Sequence, residues 1–195
     1  MTDSIAKLFT TIEQLTPFSA AAGAAFADAL KPVHFAKTDY LLRAGESNAN
    51  LYFVAHGLVR FVYTTEDGRE YNKSFAAEGQ FVGCMRSILA RQPCRFSIQA
   101  LEETETLALG DAQRTQLWQQ YPEWERLGRL LAEQVALKTE AREAEFLLDS
   151  TETRYLNFLA AYPRLAKRIP QYHIASYLGI TDVALSRIRT RIKAY

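Results

Sequence analysis

Cysteine and histidine are scarce in this chain of 195 residues, and their scarcity excludes several kinds of chemistry. The two cysteines, Cys84 and Cys94, are too few for a disulfide framework. They stand ten residues apart with no histidine beside them, which is not the spacing of a zinc site. No nucleophile–base pair can be recognised either. We therefore expect no catalytic site, no metal and no cofactor.

Long apolar runs are also missing from the sequence. The longest weakly polar stretch, residues 17–30, is too short and too rich in alanine to span a bilayer. Near the N-terminus, Asp3, Lys7 and Glu13 interrupt any apolar segment, so no secretion signal is visible. The composition, 48% hydrophobic and 23% charged, is typical of a globular protein. We expect a cytoplasmic protein that has no membrane partner.

The net charge of +1 conceals an uneven distribution of charge along the chain. Residues 150–195 carry eight lysines and arginines against two acidic residues, a net charge of +6. The other 149 residues carry 15 basic and 20 acidic residues, a net charge of −5. A basic segment on an acidic body predicts a polyanionic partner for that segment. The alternative is a basic tail that is only solvated.

Hydrophobic periodicity predicts two short helices at the N-terminus, followed by a β-rich region. The second helix covers residues 20–30, and Ser19 caps it. From residue 33 to about residue 109, glycines at 45, 57, 68 and 79 divide a region rich in β-branched and aromatic residues. Their spacing of 11 or 12 residues indicates short strands joined by turns. In the clearest hairpin, residues 58–75, Asp67-Gly68 supplies the positive φ that a tight turn needs.

A long helix is predicted from Pro122 to about Leu148, because proline suits the first turn of a helix. Along it runs a stripe with heptad spacing, which predicts pairing with the same helix of a second copy. The alternative is that this stripe packs on the β domain. The stripe consists of Leu127, Leu130, Gln134, Leu137, Ala141, Ala144 and Leu148. The residues beside it, expected to dock on the β domain, are Trp124, Leu131, Val135 and Phe146.

The segment that begins at Gln171 has the pattern of a helix-turn-helix. Ala175 is small where two helices cross, and Gly179 suits a left-handed turn. Thr181 is placed to cap the second helix, and Asp182 complements the N-terminus of that helix. The apolar core between the helices is predicted to contain Ile174, Leu178, Ile180, Leu185 and Ile188. A helical hairpin with scattered arginines is the alternative, but the joint match on a basic segment favours DNA binding.

In this order, a β-roll, a long helix and a helix-turn-helix, residues 20–193 resemble the Crp/Fnr family of bacterial transcription regulators. The motifs that carry the resemblance are "LLRAGE", "LYFVAHGLVRFVY", "GQFVG" and "ASYLGITDVALSRIR". The form "SYLGIT…LSRIR" is similar to a subgroup common in Bacteroidetes whose chains end soon after the recognition helix. Five residues follow Thr190, so we expect no winged hairpin.

The resemblance implies an α+β fold in three parts. These are a jelly-roll (double-stranded β-helix) sensor domain of the cyclic-nucleotide-binding type over residues 1–121, a dimerisation helix over 122–149 and a helix-turn-helix domain over 150–195. It further implies a homodimer, formed through residues 122–148, that binds double-stranded DNA at two half-sites. Such a dimer recruits or blocks RNA polymerase.

The second helix of the motif is the expected recognition helix. Arg187 stands about one and a half turns into it, from where an arginine reaches a guanine edge in the major groove. The family keeps this arginine, but Asp182 and Val183 replace the family's Arg/Glu pair, which predicts a different operator. Asp182 would accept from a cytosine amino group and Val183 would touch a thymine methyl, or both belong only to the cap. The expected DNA-binding residues are Thr181, Asp182, Val183, Ser186, Arg187, Arg189, Thr190, Arg191 and Lys193.

The segment "VGCMRSILARQPCRFSIQA", residues 82–100, is predicted to be a loop between strands, where this family holds its ligand. In members that bind cyclic nucleotides, a glutamate follows a glycine and binds the ribose, and a later arginine binds the phosphate. The corresponding positions here are Cys84 and Cys94, and Arg95 is one place out, which on a strand turns it to the opposite face. We therefore expect no binding of cAMP; the effector is another small molecule, or there is none. The candidate pocket residues are Gly83, Cys84, Met85, Arg86, Cys94 and Arg95.

The two cysteines have two interpretations, as buried apolar residues or as a redox-sensitive pair if their thiols come within disulfide range. Two other classes of function compete with a regulator. Metal-dependent cupins share the β-roll, but they need clustered histidines, and His34, His56 and His173 are far apart. The other class is a ligand-binding module that acts through protein contacts and keeps a vestigial helix-turn-helix.

Overall fold

The structure is a computed structural model that describes residues 2–193. Its first part contains α1 (Thr2–Glu13), α2 (Ala20–Ala29), β1 (Leu30–Phe35), β2 (Tyr40–Leu42), β3 (Leu51–His56), β4 (Leu58–Thr64), β5 (Glu70–Ala77), β6 (Phe81–Val82), α3 (Met85–Ala90), β7 (Ser97–Ala100) and β8 (Thr104–Leu109). The remaining elements are α4 (Asp111–Gln120), α5 (Pro122–Leu148), α6 (Thr151–Ala161), α7 (Gln171–Leu178) and α8 (Asp182–Lys193).

The strands form two four-stranded antiparallel sheets, in the orders β1-β8-β3-β6 and β2-β7-β4-β5. Most paired strands other than the β4–β5 hairpin are distant in sequence: Leu30 lies opposite Leu109 and Phe35 opposite Thr104 along β1 and β8. Buried apolar side chains fill the space between the sheets. The predicted α+β class and the jelly roll are therefore confirmed.

Two glycines make the turns around β4. Gly68 has a φ of +80°, and its N–H donates to the Thr65 carbonyl at 2.9 Å, which confirms the predicted hairpin turn. Gly57, between β3 and β4, has a φ of +105°. A Cβ at this position would lie 2.5 Å from Thr104 Oγ1 and 2.7 Å from the Glu103 carbonyl oxygen. Only glycine fits this turn.

The segment predicted as a loop, residues 82–100, contains the helix α3, so this part of the prediction is wrong. The helix is short and is held by burial of Ser87 and Ile88. Arg91 ends it in the left-handed conformation, with a φ of +55°. Six residues are too few for a periodic signal in the sequence. One further boundary differs, because β1 begins at Leu30 rather than at residue 33.

The long helix α5 has the predicted bounds, and its first two turns belong to the core of the chain. Trp124 stacks on Phe26 with ring centroids 4.4 Å apart, and its Nε1 donates to the Ala22 carbonyl at 3.0 Å. Trp118 of α4 lies against Gly128, where a Cβ would come within 2.6 Å of the indole. Leu127 is buried in the same cluster.

The burial of Leu127 corrects the predicted stripe, since this residue is covered by its own chain and not by a second copy. The proposed docking face is also only partly correct. Trp124 and Leu131 pack on the cluster, but Val135 is 42% exposed. Phe146 stands near Gly179 of the C-terminal unit, within 3.1 Å of where a Cβ would lie. A spacing of three and four identifies a helix face but not the neighbour that covers it.

Candidate nucleic-acid interface

The last two helices form a helix-turn-helix in which the predicted local interactions are present. Gly179 ends α7 in the left-handed conformation with a φ of +71°, and the Ile180 N–H donates to the Ala175 carbonyl at 3.0 Å. Thr181 caps α8, since its hydroxyl accepts a hydrogen bond from the Ala184 N–H at 3.2 Å. The predicted apolar core residues are buried, apart from Ile180, which is half-buried.

One face of α8 presents polar and charged side chains to solvent. Val183 is 62% exposed, and Arg187 forms no ion pair with any residue of the described range 2–193. Arg189 is half-buried, and Arg191 pairs with Glu152 of α6. The side chain of Lys193 lies outside the described residues. The predicted DNA-contacting residues that are exposed are Thr181, Asp182, Val183, Ser186, Arg187, Thr190 and Arg191.

The first helix of the motif docks on the β-roll through a buried polar network. Asn72 Nδ2 lies 3.1 Å from His173 Nδ1 and donates to the His173 carbonyl at 3.0 Å. Arg60 Nη1 lies 2.6 Å from Glu70 Oε2 and 3.2 Å from His173 Nδ1. Burial and the neighbouring Arg60 charge lower the pKa of His173 to about 4. His173 is therefore neutral near pH 7, and its Nδ1 accepts hydrogen bonds from the roll.

A second contact between the roll and the C-terminal unit is charged. Arg168, in the connector before α7, donates two hydrogen bonds to Glu78, at 2.8 and 2.9 Å, and also pairs with Glu102. Burial opposes ionisation of Glu78, but the hydrogen bonds from Arg168 and from backbone amides outweigh it and lower its pKa to about 2. This bidentate pair holds the connector against the turns that follow β5 and β7.

An apolar cluster completes this contact. It joins Phe75 of β5 to Phe158 and Tyr162 of the C-terminal unit, and all three are buried. The long helix contacts α7 as well: Arg142 of α5 lies 3.8 Å from the Tyr177 ring centroid and donates to the Tyr177 carbonyl. The helix-turn-helix therefore contacts both the roll and the long helix.

The candidate pocket residues are divided between the core and the surface. Cys84 and Cys94 are free cysteines buried among apolar side chains inside the roll. Burial and the adjacent Cys84 thiol raise the pKa of Cys94 to about 12, so its thiol is protonated. Gly83 and Met85 are half-buried, while the side chains of Arg86 and Arg95 are exposed.

Comparison with known proteins identifies the domain family of residues 32–121 and the fold of the whole chain. Residues 32–121 match the family described as the cyclic nucleotide-binding domain. The c-di-GMP-responsive regulator CLP of Xanthomonas campestris superposes with a TM-score of 0.72 at 17% identity, over 90% of this chain and 92% of that one. A protein from Eubacterium rectale described as a transcriptional regulator of the Crp/Fnr family gives 0.70 at 15% identity, over 90% and 84%. The chain has the Crp/Fnr fold.

Another solved structure with this fold is FixK2 from Bradyrhizobium japonicum, with a TM-score of 0.67 at 17% identity over 85% of each chain. The comparison with curated proteins found no match. The residues that match the cyclic nucleotide-binding domain comprise the roll and α4, and they end where α5 begins. The likeness to one subgroup of the family stays a prediction.

Sequence reasoning did not find the residues that join the two parts of the Crp/Fnr fold. The contact of His173 with Arg60 and Asn72 links positions more than 100 residues apart, and no local sequence pattern indicates this contact. The only signal was polar residues inside a strand, "EYNKSF".

Among residues 2–193, no helix combines the length and apolar character needed to cross a membrane. In the same range, no group of three or more His, Cys, Asp or Glu side chains is placed to hold a metal ion.

Proposed function

We propose that this protein is a homodimeric transcription regulator that binds DNA through α8. The observation that carries the proposal is the exposed face of α8, on which Arg187 has no acidic partner among the described residues. This face lies on a segment of net charge +6, and Thr181 caps the helix at the turn from which it begins. The geometry suits insertion of the N-terminal half of α8 into a major groove.

Within this proposal, side chains on α8 divide into two roles. Arg187 reads a guanine through two hydrogen bonds, while Asp182 and Val183 meet the adjacent bases. The other polar and basic residues of the expected set contact phosphates. These residues are Thr181, Ser186, Arg189, Thr190, Arg191 and Lys193.

The second half of α5 supports the dimer. Leu137 is 67% exposed and Leu148 is 82% exposed, and three other stripe residues, Gln134, Ala141 and Ala144, are also exposed. Exposed apolar side chains in a continuous stripe mark a surface that pairs. We expect the same stripe of a second copy to cover it in a parallel coiled coil. Pairing would set two α8 helices on successive major grooves, about 34 Å apart.

The proposed sensor domain does not bind cAMP or cGMP. A cyclic phosphate needs a charged partner with several donors, and the side chain at the expected position is the buried thiol of Cys94. The ribose hydroxyls would face Cys84, which offers no carboxylate. We expect the regulator to act on RNA polymerase, under the control of a different effector or of none.

Selection of bound sequences from a random duplex pool tests the proposal. The expected result is a pseudo-palindromic site with two half-sites about 10 base pairs apart, bound by a dimer. The Arg126→Ala variant, which removes an exposed arginine on α5, is the matched control and should select the same site. Recovery of no enriched sequence, with no mobility shift on any duplex at low salt, would favour a module that acts only through protein contacts.

A further inference from the structure

A polar groove lies where the loop before β3 meets the end of α3 and the start of α4. It encloses about 500 Å³ and is lined by residues 47–50, Ser87, Arg91 and Asp111. None of these lining residues belongs to α5, to the C-terminal unit or to the candidate pocket of the roll. The groove, which we call the α3–α4 groove, is therefore separate from the surfaces proposed for DNA and for the second copy.

One carboxylate in the α3–α4 groove is shared by two arginines. Arg91 donates to Oδ2 of Asp111, and Arg114 donates to its Oδ1 and to the carbonyl of Ala49. Among residues 2–193, neither arginine has another ion pair. Because two positive charges face one negative charge, the groove keeps an excess of positive charge. That excess favours an anionic ligand.

The backbone of Arg91 brings its side chain to the groove. This residue ends α3 with a φ of +55°, in the left-handed region that residues other than glycine rarely adopt. Its Nη1 is its only guanidinium nitrogen with a hydrogen bond to a described residue, and 56% of the side chain is exposed. The remaining N–H donors are free to bind a ligand. The planar fork of an arginine matches the oxygens of a phosphate through two parallel hydrogen bonds.

The loop on the other side of the groove is polar and internally hydrogen-bonded. Asn48 and Asn50 both donate to the hydroxyl of Tyr52, at 3.2 and 3.3 Å, and the Asn50 N–H donates to Asn48 Oδ1 at 2.9 Å. These bonds leave Asn50 Oδ1 and the Ser47 hydroxyl without a partner among the described residues. Ala49 is the one apolar residue of the lining. An aromatic or aliphatic ligand would meet little apolar surface here, whereas a ligand with several hydroxyl groups would find partners.

We propose that the α3–α4 groove binds a small phosphorylated sugar. Its phosphate accepts hydrogen bonds from Arg91 and from the first-turn amides of α4, a helix that no side chain caps at Gly110. Its sugar hydroxyls donate to Asn50 Oδ1 and exchange a hydrogen bond with Ser47. Such a ligand uses both the excess positive charge and the unpaired polar atoms of the loop.

A ligand in the groove would also affect the start of the long helix. Arg114 is only 2% exposed, and its Cζ lies 5.2 Å from the ring centroid of Trp118, which packs against Gly128 of α5. An anion that competes with Asp111 for Arg91 changes the charge around Arg114 and favours a different packing of α4 on α5. Binding of the sugar phosphate is independent of DNA, whereas an effect on DNA affinity rests on the proposed function.

Calorimetry on the full chain tests the inference with glucose 6-phosphate, fructose 6-phosphate and ribose 5-phosphate, and with glucose and inorganic phosphate as fragments. We expect at least one sugar phosphate to bind saturably, at least about tenfold more tightly than either fragment. Arg91→Gln and Arg91→Gly should each weaken it by about tenfold or more; glycine suits the left-handed conformation, so α3 keeps its end. Arg86→Gln, which changes an exposed arginine of α3 outside the groove, is the matched control. Ser47→Ala should weaken binding by a smaller factor, since it keeps the charge.

Absence of heat from all three sugar phosphates at millimolar concentration, or unchanged binding by both Arg91 variants, overturns the inference. Equal binding of inorganic phosphate overturns the sugar class, and equal binding of glucose overturns the need for an anion. A mobility shift on the selected operator, with and without the sugar phosphate, gives the second readout. Binding of the sugar phosphate by a chain that binds no DNA refutes the proposed function alone. DNA binding that the sugar phosphate does not alter refutes the effect on α5 and leaves the site.

Discussion

The guanidinium of Arg60 and the imidazole of His173 face each other at 3.2 Å, across 113 residues of sequence. Because arginine only donates, His173 Nδ1 must be an unprotonated acceptor. Asn72 donates to the same nitrogen, and Tyr172 lies beside the ring at 4.1 Å between centroids. The docking of α7 on the roll therefore requires neutral His173, with Glu70 as the acidic group that balances Arg60.

Stability should fall on mild acidification because of His173. Its pKa is lowered to about 4 in the folded chain, so the unfolded chain binds the proton first as the pH decreases. The contribution of this residue is fully present above about pH 6.5 and is lost between about pH 6.5 and pH 4, by up to about 3 kcal/mol. Urea unfolding at pH 7.5 and at pH 5 measures it. His173→Gln should flatten this dependence, whereas the exposed His34→Gln should retain it.

The turn at Gly57 should tolerate no side chain. Gly57→Ala introduces a Cβ that meets the backbone around Thr104, in addition to the strain of a positive φ. Gly45→Ala is the matched control, because Gly45 has a φ of +90° but nothing within 4 Å of its Cβ position. We expect a loss of about 1 kcal/mol for Gly45→Ala and at least about 3 kcal/mol for Gly57→Ala in the free energy of unfolding. Equal losses would show that the roll relaxes around the new methyl group.

Leu137→Lys should convert the proposed dimer into monomers, since it places two like charges across the predicted stripe. Thr139→Lys adds the same charge to the opposite side of α5 and should leave the mass unchanged. Light scattering at micromolar concentration distinguishes the two states. An unchanged mass for Leu137→Lys would mean that α5 does not form the interface.

Arg187→Ala should cost about 1–3 kcal/mol in binding to the selected operator and should relax preference at one base pair. The physical reason is the loss of two hydrogen bonds to one guanine edge. Competition titrations against operators changed one base pair at a time measure both effects. A uniform loss on all sequences would instead assign Arg187 to a phosphate.

The roll should give no heat with cAMP or cGMP in calorimetry at millimolar concentration. Cys94 is buried and cannot supply the charged donors of an arginine, and Arg95 is exposed on the other side of the chain. Cys94→Arg is the informative variant, because it restores the residue type at the expected position. Micromolar binding by the unchanged protein would mean that Arg95 occupies the phosphate position.

The local parts of this fold could be predicted from sequence, and the long-range parts could not. Gly179, Thr181 and Ala175 are each needed for a reason that operates within one turn of helix, so their pattern was sufficient. The residues that cover Leu127 depend on how α5 packs against α2 and the roll. The spacing of apolar residues along α5 does not encode that packing. Lys73 has no partner residue on β4, and this bulge depends on a shift of register between β4 and β5. No residue type marks that shift.

Trp118 packs against Gly128 and fixes the N-terminal part of α5, so a small rotation there moves the far end of this long helix by a larger distance. The helix is fixed against α2 around Trp124, and it contacts the C-terminal unit at Arg142, about 27 Å further along its axis. A rotation of about 5° around Trp124 would displace Arg142 by about 2 Å, well beyond the tolerance of its hydrogen bond to Tyr177. A shift too small to disturb the packing around Phe26 is thus large enough to release α7 at the far end.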